Sequence, residues 1–223
     1  MLTFSSRKAW EAYTRALSYF KVPGVIKSSF HTFKRGAQAQ YFSDFDSVVT
    51  DPFRAGDVVL LYCDVIEEIM RRKRVDGLVF IEKAGEKDDV AGGGTVGAIQ
   101  LATDISRCAI LPYISVRSHK SLVAERIKLT TLTERPRATE LAEAKLVMLT
   151  DHCTSGTEVL EAVDTVEAHG GHVTDLVVYT LWSEALRWDE FHRRNIEVHS
   201  LVELPNDVRK IGVELEMPVA AKP

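Results

Sequence analysis

The sequence predicts an α/β fold: a parallel sheet flanked by helices, preceded by a small N-terminal hood. Three features carry that expectation. From residue 51 onward, short apolar runs of strand length alternate with amphipathic stretches of helix length, the order that places helices on the faces of a parallel sheet. A glycine-rich run, Ala91-Gly92-Gly93-Gly94-Thr95, opens one of those helices. A turn of small polar residues, Thr154-Ser155-Gly156-Thr157, joins one apolar run to the next helix.

The elements follow in order. Trp10, Tyr13, Leu17 and Phe20 recur near helical spacing and predict a helix over 6–20. Residues 28–50 are aromatic and mixed, with weak alternation, and predict short strands or an irregular cap. Asp51-Pro52 opens a helix through Arg72, since proline is tolerated in a first turn; Leu61, Val65, Ile66 and Ile69 form its apolar stripe. Residues 77–81 form a strand, 97–107 a helix, 110–116 a strand and 146–149 another. After Asp151 to Thr157 comes a helix to His169, striped by Val159, Val163 and Val166 and stopped by Gly170-Gly171. Strands over 173–179 and 196–202 complete the pattern. Residues 118–144, polar and carrying Pro136, are expected to form a lid or a structureless segment. The chain divides into a helix and hood (1–50), a core (51–205) and a tail (206–223).

Composition bounds the function. A chain of 223 residues, 45% hydrophobic and 27% charged, suits one globular domain with at most a small appendage. A net charge of -4 gives no general attraction to nucleic acid or to an anionic membrane. The basic run Arg71-Arg72-Lys73-Arg74 falls at a predicted helix end, where cations answer the helix dipole. Cys63, Cys108 and Cys153 are widely spaced, so no zinc or disulfide pattern is present. No apolar run reaches membrane-spanning length, and the first residues lack a signal-peptide apolar region. A soluble cytoplasmic protein is expected.

The chemistry concentrates in Thr150-Asp151-His152-Cys153-Thr154-Ser155-Gly156-Thr157. The first amides of a helix lack internal partners and carry the positive end of its dipole. A Thr-Ser-Gly-Thr turn lets those amides approach a phosphate closely, and its hydroxyls add donors. A carboxylate beside it, Asp151, can accept hydrogen bonds from sugar hydroxyls. The plainer reading, that Asp151 and Thr154 cap the helix, explains one of them but not five such residues within seven. No Gly-Lys-Ser/Thr follows, which excludes a P-loop.

This segment resembles the signature of the type I phosphoribosyltransferases: an apolar strand, two acidic residues, two apolar residues, then Thr-Thr/Ala-Gly-Thr/Gly opening a helix. Thr150 and Asp151 take the acidic pair, His152 and Cys153 the apolar pair, and Thr154 to Thr157 the phosphate loop. Over roughly residues 28–205 the chain looks most like the orotate phosphoribosyltransferases. Phe33-Lys34-Arg35-Gly36, Tyr41-Phe42-Ser43-Asp44 and Thr50-Asp51-Pro52 match the hood, Gly97 to Thr103 the segment after the pyrophosphate loop, Tyr113 to Arg117 a strand, and Ile196 to Leu201 the ending. The resemblance implies that phosphoribosyl pyrophosphate, carried as its Mg2+ complex, and a nucleobase are the substrates, with no resident metal, in a homodimer. It implies a catalytic role for Asp151, Arg117 and Lys120. It implies substrate contacts by Lys34, Phe42, Thr95, Thr150, Thr154, Ser155, Gly156, Thr157 and Trp182.

There are departures. The catalytic loop reads Arg117-Ser118-His119-Lys120, with its lysine one place displaced and no His-Gly pair. Where the family carries a base-binding arginine, this chain has Trp182, an apolar face in place of a bidentate guanidinium. The base is therefore open, orotate included, and so is a second reading: a non-catalytic paralogue that senses phosphoribosyl pyrophosphate or a nucleotide. His119 and Lys120 are as readily solvated loop residues as pyrophosphate ligands, and His152 and Trp188 are first read as packing.

Overall fold

The computed structural model describes residues 5–22, 25–32, 38–43, 45–83, 94–118, 141–182 and 186–204. Helix α1 (Arg7–Tyr19) starts at Ser6, whose side chain accepts a hydrogen bond from the Ala9 amide at 3.1 Å. Ala9, Ala12 and Ala16, on one face, let it lie close against α3 (Pro52–Arg72), and all three are fully buried. Between these helices come the antiparallel strands β1 (Ile26–Thr32) and β2 (Gln38–Ser43), paired from Ile26↔Ser43 to Thr32↔Gln38, and the short α2 (Phe45–Val49). The expected hood is thus a hairpin.

Helix α3 has the predicted bounds, for the predicted reason. Asp51 Oδ1 accepts from the amides of Phe53 (2.9 Å) and Arg54 (3.2 Å), and Pro52 occupies the first turn, where no amide is required. Leu61, Val65, Ile66 and Ile69 are buried as the stripe requires. The basic run at its end is spent on ion pairs. Arg71 meets Glu68 at 2.8 Å, Arg74 meets Asp76 at 2.7 Å, and Lys73 meets the buried Asp175 at 2.9 Å.

The core sheet holds five strands: β3 (Gly77–Lys83), β4 (Tyr113–Ser118), β5 (Lys145–Cys153), β6 (His172–Leu181) and β7 (Glu197–Glu203). Every neighbouring pair is parallel, in the order β4-β3-β5-β6-β7. Helix α4 (Gly94–Ala109) connects β3 to β4, α5 (Thr157–Ala168) connects β5 to β6, and α6 (Trp188–Arg193) connects β6 to β7. Alternation along β5 divides the core. Val147 and Leu149 join α1, α3 and α4 on one face; Leu146 and Met148 join α5 and Phe191 of α6 on the other. The chain moves one way across the sheet from β3 to β4 and the opposite way from β5 to β7. Right-handed crossovers then require helices on opposite faces.

Most element ends shift by a residue or two from the sequence reading, and the larger differences have local causes. Helix α4 starts at Gly94 and runs to Ala109, where Ile110 adopts a left-handed conformation (φ 55°) and ends it; β4 therefore begins at Tyr113, not 110. Strand β5 continues past 149 to Cys153. The six-residue α6 was not anticipated. The expected lid lies almost wholly outside the described residues, which resume at 141. Among the described residues no helix is long and apolar enough to cross a membrane.

Candidate functional site

The direction of winding reverses between β3 and β5, and the crevice outside the carboxyl ends of these strands is where open α/β sheets take ligands. Strand β5 delivers Asp151 to that edge. Pairing carries the strand there: His152 lies opposite Thr180, and Cys153 opposite Leu181. Two groups hold its end. The fully buried Tyr62 of α3 donates its hydroxyl to the Thr150 carbonyl at 2.7 Å, and burial raises that phenol well above its usual range, keeping the donor protonated. Thr180 donates its hydroxyl to the Asp151 carbonyl at 3.4 Å.

The Asp151 side chain is one-fifth exposed. Its Oδ1 accepts the His152 amide at 2.7 Å and the Thr150 hydroxyl at 3.3 Å, and its Oδ2 lies 3.1 Å from His152 Nδ1. A carboxylate has about four lone-pair sites, and these contacts engage both oxygens. The indole of Trp182 meets the His152 ring edge-on, centroids 6.5 Å apart. Trp182 is 7% exposed, and its backbone amide donates to the Cys153 carbonyl at 3.1 Å. Burial pushes the Cys153 thiol up to about 12, so it stays protonated and is no nucleophile at neutral pH.

The turn at 154–156 leads into α5. Its N-cap is Gly156, in the left-handed region (φ 75°), with no side-chain capping hydrogen bond. Neither Asp151 nor Thr154 caps the helix, so the plainer account of these residues does not hold. Ser155 and Thr157 hydroxyls are 3.1 Å apart, and Ser155 Oγ lies 3.4 Å from the Thr157 amide. A Cβ at Gly156 would sit 2.6 Å from Phe191 and 3.0 Å from Leu186. The Arg187 amide also donates to the Ser155 carbonyl at 3.3 Å. The turn is thus clamped from outside by α6 and the residues before it, at a helix N-terminus where the Ser155 and Thr157 hydroxyls stand beside the first amide of α5. Such a nest suits a phosphate.

The structure therefore gathers Thr150, Asp151, Thr154, Ser155, Gly156, Thr157 and Trp182 at one edge of the sheet. Phe42 lies in β2, Arg117 in β4 and Thr95 in the first turn of α4; their backbones are placed and their side chains are not described. Lys34, His119, Lys120 and the loop at 84–93 lie outside the described residues. Tyr62, Thr180, Leu186 and Phe191 were missed. Only long-range contact brings them to the turn, and the sequence carries no local signal for it.

A second titratable cluster lies elsewhere. Asp175, Glu197 and His199 come close enough to hold a metal ion, but the Lys73 ammonium already sits among them, 2.9 Å from Asp175 and 3.3 Å from Glu197. Asp175 pairs across from Val147, five residues before His152 on β5, so this network belongs to the opposite half of the sheet.

No protein-family model matches the chain. An orotate phosphoribosyltransferase of Methanosphaera stadtmanae is 24% identical over 189 residues, covering 84% of this chain and 92% of that protein. Among solved structures, orotate phosphoribosyltransferase from Aeropyrum pernix superposes with a TM-score of 0.64 at 16% identity, over 88% of this chain and 99% of that one. Adenine phosphoribosyltransferase from Saccharomyces cerevisiae gives 0.56 at 12% identity, over 85% and 99%.

Proposed function

We infer, from a chain that carries the type I phosphoribosyltransferase fold and whose similar proteins are transferases of that class, that it moves a 5-phosphoribosyl group from phosphoribosyl pyrophosphate to a nucleobase, releasing pyrophosphate. The observation that carries this reading is the α5 N-terminus: a left-handed Gly156 at the N-cap, hydroxyls at Ser155 and Thr157, and the Asp151 carboxylate at the adjoining strand end. In this account the amides of the turn and the hydroxyls of Thr154, Ser155 and Thr157 hold the 5-phosphate. Asp151, with Thr150 beside it, takes the ribose hydroxyls. The substrate arrives as a magnesium complex that keeps several waters. Departure of pyrophosphate leaves oxocarbenium character at C1, and cations from Lys34, Arg117 and Lys120, with the amide of Thr95, offset the charge developing on the leaving group.

The base is a pyrimidine. The Methanosphaera stadtmanae relative is an orotate phosphoribosyltransferase by name, and orotate belongs among the bases to be tried. Trp182, backing His152, favours a flat ring over a charged substituent. Phe42, from the hood, adds a second apolar contact. The active form is a homodimer. One observation favours the second reading, a non-catalytic sensor of phosphoribosyl pyrophosphate: Thr150 stands in the first acidic position, leaving one carboxylate for the ribose.

Pyrophosphate release should be measured with phosphoribosyl pyrophosphate and magnesium across orotate, uracil, other pyrimidines and purines, alongside titration calorimetry. Turnover of a pyrimidine supports the enzyme. Saturable binding with no release from any base supports the sensor. No binding at all removes both readings.

A further inference from the structure

Phosphoribosyl transfer to a ring N–H leaves a proton to be removed. The N–C1 bond forms, the C1–O bond to pyrophosphate breaks with its electron pair leaving on pyrophosphate, and the hydrogen on the attacking nitrogen must depart. A group that accepts it has to stand at the same strand edge as the ribose carboxylate.

His152 stands there. It follows Asp151 directly on β5, and the carboxylate grips it twice, through its backbone amide at 2.7 Å and through ring Nδ1 at 3.1 Å. The ring is about 29% exposed, and the Trp182 indole packs edge-on beside it, which limits its rotation. A carboxylate at Nδ1 stabilises the tautomer protonated there and makes Nε2 the ring's proton-accepting nitrogen. Near the Asp151 carboxylate stand two further titratable groups, Tyr62 of α3 and Cys153 of β5. Burial holds both of them protonated and neutral.

We propose that His152 is the catalytic base that takes the proton from the attacking nucleobase nitrogen at Nε2, with Asp151 as the residue that orients it. This rests on the phosphoribosyl-transfer reading. It gives the single remaining carboxylate two tasks, through different lone pairs: the ribose hydroxyls and the imidazole.

Two measurements on the full chain test it. Nitrogen-15 NMR of the labelled protein should show the neutral His152 ring protonated at Nδ1, and Asp151→Asn should shift that balance towards Nε2–H. A wild-type ring protonated mainly at Nε2 overturns the proposal whatever the kinetics. With magnesium phosphoribosyl pyrophosphate and the base that turns over, His152→Gln should lower kcat by about 100-fold or more and remove the acidic limb of the kcat–pH profile. The affinity for phosphoribosyl pyrophosphate should change by less than about twofold. Unchanged kcat and an unchanged acidic limb sink the role of His152 alone and leave the transferase reading standing. If the wild type fails to bind phosphoribosyl pyrophosphate, or turns over no base, the transferase reading falls and this inference with it. The NMR result holds even where the glutamine variant does not fold.

Discussion

Gly156 is the residue on which the turn depends most heavily. Its left-handed backbone suits glycine alone at low cost, and the space where a Cβ would stand is filled by Phe191 at 2.6 Å. Gly156→Ala therefore combines backbone strain with overpacking and should destabilise the protein by about 2–4 kcal/mol, measured by urea unfolding. A variant within about 0.5 kcal/mol of wild type would mean that the turn relaxes freely. The Thr-Ser-Gly-Thr turn was legible because small polar residues and glycine mark a strand-to-helix junction. The need for glycine at that one place was not, since Phe191 lies 35 positions on and nothing local announces it. His152 was read first as packing for a similar reason. Its two contacts with Asp151 depend on β5 remaining extended through 153, which its polar residues conceal.

Among the elements, α3 was readable at both ends because the signals were local: Asp51 and Pro52 to start, an apolar stripe along it, cations at the stop. The sequence pattern alone ends β5 four residues too soon. Thr150, Asp151 and His152 break the apolar run, and only the ladder to β6 extends the strand. Helix α6, at six residues, is too short for periodicity to show. The junction of α3 with β6 and β7 makes its own prediction. Asp175 is fully buried, and although burial alone would raise its carboxyl, hydrogen bonds from His199, Thr174 and Lys73 hold it below its ordinary value. Its folded value thus lies under the unfolded one of about 3.9. The stabilisation is complete above that unfolded value and is lost as pH falls through the depressed one. Asp175→Asn should cost about 3 kcal/mol at neutral pH, leaving Lys73 short of a partner, and should flatten the acid limb of the stability curve below pH of about 4. A variant with wild-type stability at pH 7 would show the network to be dispensable.

For the molecule as a whole, alternation of strands and helices was enough to call for a parallel sheet, because only covered sheets bury such continuous apolar runs. Strand order was beyond reach: no local pattern says that the chain leaves β4 and crosses β3 to place β5 on its other side. That crossing creates the crevice; the strand-to-helix junction at Asp151 was legible directly, while Tyr62, Thr180, Leu186 and Phe191, which hold it, were not. If the crevice takes phosphoribosyl pyrophosphate, ligand should stabilise the fold by mass action. At about 100 times Kd the gain is about 2.7 kcal/mol, which in a chain of this length raises Tm by about 5–10 °C. A shift below about 1 °C at saturating ligand with magnesium would count against the site.

The packing of Phe191 against Gly156, with the Arg187 amide on the Ser155 carbonyl, joins the turn before α5, the cradle proposed for the 5-phosphate, to the β6–β7 connection. The two segments are therefore expected to open as one cooperative unit. In native-state hydrogen exchange, the amides of Leu160 and Ile196, which bond to Gly156 and Phe191, should report the same opening free energy and gain protection together when an anion occupies the cradle.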